Sequence, residues 1–150
     1  MIQRIQTIFL LLAAILMAVT VFSPLVILEG GNRFVSLYPY GMVEAGNTTY
    51  MTWGVITFAC LAILLPVINI FLYKKRKIQV KVCSFTIFII VVFYITLYAY
   101  LYFLMAKNGL SLQGMQYGII LPAIALIFVV LASVNIKKDE RLIQSLNRIR

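Results

Sequence analysis

The stretch that decides the fold is KKRKIQVKVCSFTIFIIVVFYITLYAYLYFLM, residues 74–105. It opens with a cluster of lysines and an arginine and then continues from Val82 to Met105 without any Asp, Glu, Lys or Arg. At 1.5 Å per residue, a helix of that length spans about 36 Å, which is enough to cross a hydrocarbon core of about 30 Å. Because a lipid-facing backbone must satisfy its own hydrogen bonds, this run predicts a transmembrane helix.

Three further stretches have the same character. They cover residues 5–28, 52–73 and 115–136, and none contains a charged side chain. Each is much longer than the strand of a membrane barrel, which needs about ten alternating residues. The sequence therefore predicts an all-α fold, an integral-membrane antiparallel four-helix bundle forming one domain over residues 1–150.

The composition agrees with a membrane location. Hydrophobic residues make up 63% of the chain, charged residues 11%, and the mean hydropathy is +1.03. A soluble domain is about 45–50% apolar and about 25% charged. The chain therefore has too little polar surface for a soluble domain, and its apolar content excludes disorder.

The basic residues fix the expected orientation. The chain has 13 Lys and Arg, of which only Arg33 and Lys107 fall in the first and third loops. The rest flank the spans at the N-terminus, the second loop and the tail, so the positive-inside rule places both termini in the cytoplasm. The residues expected to set this topology and to contact anionic lipid headgroups are Lys74, Lys75, Arg76, Lys77, Lys81, Lys137, Lys138 and Arg141. No aromatic platform interleaves with these cations, so we expect no nucleic-acid partner.

Two segments outside the spans carry structural signals. In the first outer loop, residues 34–38 and 42–44 are rich in β-branched and aromatic side chains and flank Pro39-Tyr40-Gly41. This pattern favours either a short β-hairpin over the outer mouth of the bundle or an irregular loop anchored by its tyrosines. In the tail, residues 137–150, the apolar residues Leu142, Ile143, Leu146 and Ile149 fall at helical spacing. They predict a short amphipathic helix that lies on the cytoplasmic leaflet or docks on a partner.

The side chains within the spans limit the chemistry. The chain has no histidine, hence no imidazole base or metal ligand, and no acid or base lies at membrane depth to relay protons. Cys60 and Cys83 differ in expected depth by about 15–20 Å, too far for a disulfide. We therefore expect no catalytic residue, no cofactor and no metal. Asn69 is expected to donate a hydrogen bond between helices, and Gly114 and Gly118 form a GxxxG that permits close backbone packing.

The third span carries the strongest candidate for a ligand site. Tyr94, Tyr98 and Tyr102 recur every four residues and form a stripe on one helix face. Tyr94 lies closest to mid-membrane, so its hydroxyl should find a partner across the bundle. Together with Gln116, Tyr117 and the first loop, the stripe predicts a pocket for a lipid or quinone. The alternative is an interfacial aromatic belt with ordinary packing.

Three segments resemble one family. They are MIQRIQT at the start, RKIQVK at residues 76–81, and KDERLI through NRIR at the end. They are similar to those of a bacterial four-span inner-membrane family known only as a domain of unknown function. The resemblance covers the whole chain and implies the bacterial cytoplasmic membrane, and it carries over no catalytic residue, cofactor or substrate.

These observations favour a non-enzymatic multi-pass protein, an accessory, assembly or interaction subunit whose partner is another membrane protein or a second copy. The alternative is a lipid-, quinone- or small-molecule-binding protein or carrier that uses the tyrosine stripe. An enzyme acting at the membrane surface would have to use the acids Glu29, Glu44, Asp139 and Glu140, the first two paired across the first loop.

Overall fold

The computed structural model describes residues 2–30, 33–44, 47–73 and 75–147. Its helices are α1 (Ile2–Phe22), α2 (Trp53–Phe71), α3 (Arg76–Asn108) and α4 (Leu121–Asn147). Its strands are β1 (Val26–Gly30), β2 (Arg33–Tyr38), β3 (Gly41–Glu44), β4 (Asn47–Met51) and β5 (Ser111–Met115), and a 3-10 turn, Tyr117–Ile119, precedes α4. The protein is mostly helical, but the predicted all-α class is wrong because the strands form a five-stranded antiparallel sheet.

Each of the four helices is long and apolar enough to cross a membrane. The helix α1 packs against α2 and α4, and α3 packs against the same two neighbours, so the four helices surround one core. Alanines are fully buried in this core at Ala13, Ala62, Ala125 and Ala132. Such small side chains let helix backbones approach closely where the hydrophobic effect does not drive packing.

The outward faces of the helices are apolar as well. Large side chains that are half or more exposed occur on all four helices, among them Ile8, Leu64, Ile95 and Ile127. A contiguous apolar surface of this extent is not found on soluble monomers. The helical part of the molecule therefore suits a lipid environment.

The sheet covers one end of the bundle, which we call the sheet end. Its strand order is β4-β3-β2-β1-β5, so the strand from the third loop pairs with the first strand after α1. Alternate side chains point toward the helices, and Val26, Leu28, Val35, Leu37 and Met42 are buried. They share one apolar cluster with residues of α2 and α3, including Val55, Phe93 and Leu104. The sheet is thus held by a second apolar cluster, distinct from the one among the helices, to which α2 and α3 contribute.

The predicted hairpin in the first loop is confirmed. Strands β2 and β3 pair from Val35↔Glu44 to Tyr38↔Gly41, and the chain reverses at Pro39 and Tyr40. The hairpin is part of a larger element, because β1 and β4 extend it on both sides.

The predicted ends of the first and fourth spans are wrong. Residues 23–28 do not continue α1, since the helix ends at Phe22 and β1 starts at Val26. Residues 115–120 do not belong to α4 either, because Met115 ends β5 and the 3-10 turn follows. The physical reason is that a strand buried between the sheet and the helices can be as apolar as a membrane helix. An apolar run in the sequence therefore does not distinguish a strand from a helix.

The GxxxG is also placed differently from its sequence interpretation. Gly114 lies in β5 and Gly118 in the 3-10 turn, so the pair does not form a helix–helix contact. A β-carbon on Gly118 would overlap the carbonyl oxygen of Pro24, whereas one on Gly114 would meet nothing within 4 Å. The close backbone approach is real at Gly118, and it joins the start of the sheet to the entry of α4.

The opposite end of the bundle is the basic end, where α1 starts, α2 turns into α3 and α4 finishes. The tail does not form a separate amphipathic helix, because α4 continues unbroken to Asn147. Among its apolar residues Leu142 is exposed, while the side chains of Ile143 and Leu146 and all of Ile149 lie outside the described part of the chain. Lys74 also lies outside it.

Candidate functional site

An apolar cavity of about 360 Å³ opens beside the third helix near the sheet end. We call it the side cavity. Its lining consists of Val26, Tyr94, Leu97, Tyr98, Leu101, Leu112, Met115 and Ile119. The α3 residues of this set recur at three- and four-residue spacing and form one wall, while β1, β5 and the 3-10 turn form the other.

Tyr94 shows how the cavity is kept apolar. Its hydroxyl donates a hydrogen bond to the carbonyl oxygen of Ile119 at 2.6 Å, which confirms the expected partner across the bundle. The ring meets Phe93 edge-on, with centroids 5.7 Å apart. Because the hydroxyl is occupied within the protein, Tyr94 offers the cavity only the hydrocarbon part of its ring.

The structure brings together only part of the predicted tyrosine site. Tyr98 lines the cavity while remaining 72% exposed, so it stands at the mouth. Tyr102 and Tyr117 are 70% and 60% exposed and are not part of the lining. Gln116 is half-buried, and its backbone N–H donates to the Leu25 carbonyl, which ties β5 to the start of β1. The five residues therefore do not converge on one pocket.

Sequence reasoning missed the second wall of the cavity. Val26, Leu112 and Met115 enter it because β1 and β5 pair, with Val26 opposite Met115 and Leu28 opposite Leu112. A signal was present after Pro24, where a β-branched pair, Val26-Ile27, follows a residue that cannot donate a backbone hydrogen bond. The partner strand β5, more than eighty residues further along the chain, carried no such signal in its sequence.

The predicted headgroup residues gather at the basic end. Lys75, Lys77, Lys81, Lys137, Lys138 and Arg141 are all exposed there. Arg76 differs from them, since its side chain is largely buried and its Nη1 lies 3.9 Å from Oδ2 of Asp139. Asp139 is itself buried and accepts a hydrogen bond from the side-chain amide of Gln6. Arg76 thus contributes to a contact between α1, α3 and α4.

A second polar network joins α2 to α3 beside the first. The amide nitrogen of Asn69 donates to Sγ of Cys83 at 3.0 Å and to the carbonyl of Gln79 at 3.3 Å. The amide of Gln79 donates back to the carbonyl of Asn69 at 2.9 Å. The prediction that Asn69 donates between helices is confirmed, whereas the roles of Gln6 and Gln79 were not seen in the sequence.

The acidic residues are not assembled into a site. Glu44 pairs with Val35 and shares its bundle-facing side of the sheet, while Glu29 pairs with Phe34, which is 60% exposed on the far side. Because opposed residues share a face, the two carboxylates lie on opposite sides and the expected pairing between them is wrong. The described residues contain no group of three or more His, Cys, Asp or Glu that could hold a metal ion.

Four spanning-length helices, an apolar outer surface and a sheet over one end together indicate a membrane protein of the helical-bundle class. Residues 2–149 match the family model described as domain of unknown function DUF4293, and the chain belongs to that family. No curated protein matches the chain.

Proposed function

We propose that this is a multi-pass protein of the bacterial cytoplasmic membrane, with the basic end and both termini in the cytoplasm and the sheet on the opposite side. The support is the asymmetry of charge on the folded protein. Exposed lysines and Arg141 surround the basic end, whereas Arg33 and Lys107 are the described basic residues at the sheet end. Positive charge retained on the cytoplasmic side is the usual result of membrane insertion.

Single cysteines test this orientation after Cys60 and Cys83 are replaced by alanine. A membrane-impermeant maleimide should label Gln113→Cys, on exposed β5, in intact cells. It should label Lys138→Cys, on exposed α4, only after the membrane is permeabilised. The reverse pattern would show that both surfaces are assigned to the wrong side.

We further propose that the protein binds the hydrocarbon chain of a membrane lipid or quinone without catalysing a reaction. The side cavity carries this proposal, because its lining is hydrocarbon and its tyrosine hydroxyl already has a partner. Tyr98 and Met115 at its edge are both strongly exposed, so an apolar chain could enter from the side. Such a cavity suits a chain rather than a polar headgroup.

The selectivity of this site would come from shape. Bilayer tails are as apolar as the lining, so burial alone gives little preference for the cavity over the membrane. Close packing of the bound chain against the rings of Tyr94 and Tyr98 supplies the preference for the cavity, since dispersion contacts depend on how well the surfaces fit. We therefore expect one chain type to be enriched over the bulk lipid.

The test is lipid extraction from protein purified in a mild detergent, followed by mass spectrometry. Leu101→Trp should fill the cavity and remove the enriched lipid or quinone. The matched control is Ile95→Trp, on an exposed face of the same helix and outside the lining. An extract identical to bulk lipid in the wild type, or one unchanged by Leu101→Trp, would contradict chain binding.

A second proposal, that the protein is an accessory or interaction subunit, rests on the far side of the sheet. Phe34 is strongly exposed there, at the end of the sheet where β1 turns into β2. Nearby in the same hairpin, Tyr38 and Tyr40 stack with centroids 5.1 Å apart. Exposed aromatic residues are enriched in protein interfaces, and these belong to a rigid sheet.

This proposal predicts a partner that depends on Phe34. A membrane protein, or a second copy of the chain, should remain attached after gentle solubilisation at native expression. Phe34→Ser should release it, while Gln113→Ser, on the exposed strand β5, should not. A homogeneous monomer from the wild type would count against an interaction role and would leave the chain-binding proposal untouched.

A further inference from the structure

A polar cleft of about 550 Å³ lies between the bundle-facing side of the sheet and the carboxyl end of α3. We call it the sheet-end cleft. Buried Val35 and Met42 are among its lining residues, and polar groups are supplied by Arg33, Glu44, Thr49 and Asn108. It is separate from the side cavity, with which it shares no lining residue.

The turn after α3 keeps this cleft open. Gly109 adopts a left-handed conformation, with φ of 63°, and a β-carbon there would meet nothing within 4 Å. Gly30 sits against Leu110, where a β-carbon would lie 2.5 Å from Cδ2 of that leucine. The chain therefore passes close to β1 without filling the space beside it.

The two basic residues outside the basic end both border this cleft. Arg33 is part of its lining, and Nζ of Lys107 lies 5.0 Å from the ring centroid of Tyr50, another lining residue. Phe103 supplies a second ring 5.8 Å from the same nitrogen. These cation–π contacts place the ammonium group of the exposed Lys107 beside the Tyr50 ring at the edge of the cleft.

Charge on the cleft favours an anion. Arg33 contacts Glu44 at 3.4 Å, but its side chain is 74% exposed, and such a surface ion pair is weak. The amide nitrogen of Asn108 donates to the Leu104 carbonyl at 3.1 Å, so this amide is bonded to its own helix. Lys107, which contacts the lining residue Tyr50, adds a second cation near the Glu44 carboxylate, and the guanidinium of Arg33 retains N–H groups that suit the oxygens of a phosphate.

We propose that the sheet-end cleft binds a phosphate group between Arg33 and Lys107. The group belongs either to a lipid headgroup or to a free phosphate. The level of the cleft suits a headgroup, because Tyr50 precedes Trp53 at the start of α2 and Lys107 closes the last turn of α3. A free phosphate would reach the same side chains from the aqueous side.

The experiment uses the full chain purified in a phosphate-free maltoside detergent. In one arm, inorganic phosphate is titrated and binding is measured by calorimetry. In the other arm, dilauroylphosphatidylglycerol is added to the micelles and retained lipid is counted by native mass spectrometry. Binding in the first arm identifies a free phosphate as sufficient, and binding only in the second identifies the headgroup of a lipid.

Variants assign the binding to the cleft. Arg33→Gln combined with Lys107→Gln should weaken binding about tenfold or more, because two charge-assisted contacts are lost. Glu44→Gln removes the competing carboxylate and should strengthen binding about two- to threefold. Glu29→Gln, which removes a partly exposed carboxylate from the far side of the sheet, should leave binding unchanged. All four substituted positions are polar and at least partly exposed, and thermal unfolding checks that each variant is folded.

Three results would overturn the proposal. The first is no saturable binding in either arm, and the second is that Glu29→Gln strengthens binding as much as Glu44→Gln does. The third is weaker phosphate binding in Glu44→Gln, which would mean that the carboxylate does not compete with the ligand for Arg33. Loss of the apolar chain from Leu101→Trp tests the side cavity alone, so the two sites can fail independently.

Discussion

The two ends of the bundle are closed by different means. At the sheet end, five strands bring backbone hydrogen bonds and an apolar face onto the helices, and Leu28 and Leu37 are fully buried. At the basic end, the side-chain amides of Asn69 and Gln79 and the ion pair between Arg76 and Asp139 join the helices. One end of the bundle is therefore covered by a sheet, and the helices at the other end are joined by individual polar side-chain contacts.

The two ends differ because the chain connections between helices are long at the sheet end and short at the basic end. Chain reversals at the sheet end involve long loops, whose backbone groups must be paired before they can be buried, and a sheet pairs many of them at once. The turn from α2 to α3 is short, so the carbonyls at the end of α2 are met by a nearby side chain, that of Gln79. Substitutions that break a single contact at each end should therefore lower the free energy of unfolding by different amounts.

The largest effect is expected at the sheet end from Gly118→Ala. The added methyl group would overlap the Pro24 carbonyl, and backbone on both sides would have to move. We expect a loss of about 3 kcal/mol in the free energy of unfolding, within the upper range for overpacking. Thermal unfolding in detergent measures it. Gly114→Ala is the control, since its methyl group enters open space, and equal losses for the two variants would contradict the close approach.

A smaller effect is expected at the basic end from Asp139→Ala. This change leaves the amide of Gln6 and the partly buried guanidinium of Arg76 without their acceptor. We expect a loss of about 2 kcal/mol, the cost of leaving buried polar groups unsatisfied. Lys138→Ala on the exposed neighbouring position should change stability by less than about 0.5 kcal/mol. A neutral Asp139→Ala would mean that the basic end is closed mainly by apolar packing.

The smallest effect is expected for Tyr94→Phe, which removes one hydrogen bond where α3 meets the 3-10 turn. The ring and its packing remain, so the expected loss is about 1 kcal/mol. Tyr98→Phe is the matched control, because that side chain is largely exposed and should tolerate the change. If the two variants unfold at the same temperature, the Ile119 carbonyl finds another donor and the turn does not depend on Tyr94.

The parts of the fold that the sequence predicts are those with a local signal. Helices α2 and α3 were placed by their apolar runs, and the hairpin turn by Pro39 and Gly41. Asn69 and Tyr94 were recognised as hydrogen-bond donors because a polar atom in an apolar span needs a partner. Each of these inferences uses residues within one turn or one span.

The missed parts depend on distant residues. Strand β1 is apolar enough to be counted with the first span, whereas all of β5 except Met115 was left in the third loop, and their pairing with each other had no signal in the sequence. The same pairing supplies three of the eight lining residues of the side cavity, so the predicted tyrosine site was incomplete. Asp139 was assigned to the tail at the membrane surface, and its burial was missed because it comes from Gln6 on α1 and Arg76 on α3.

The position of β5 in the chain has a consequence for biogenesis. Four strands of the sheet are synthesised before α2, whereas the fifth emerges only after α3. Until then β1 is an open edge with unpaired amides and carbonyls, the kind of edge that recruits strands from other chains. Completion of the sheet must therefore wait for the third helix to be inserted, and that helix delivers the strand which closes the edge.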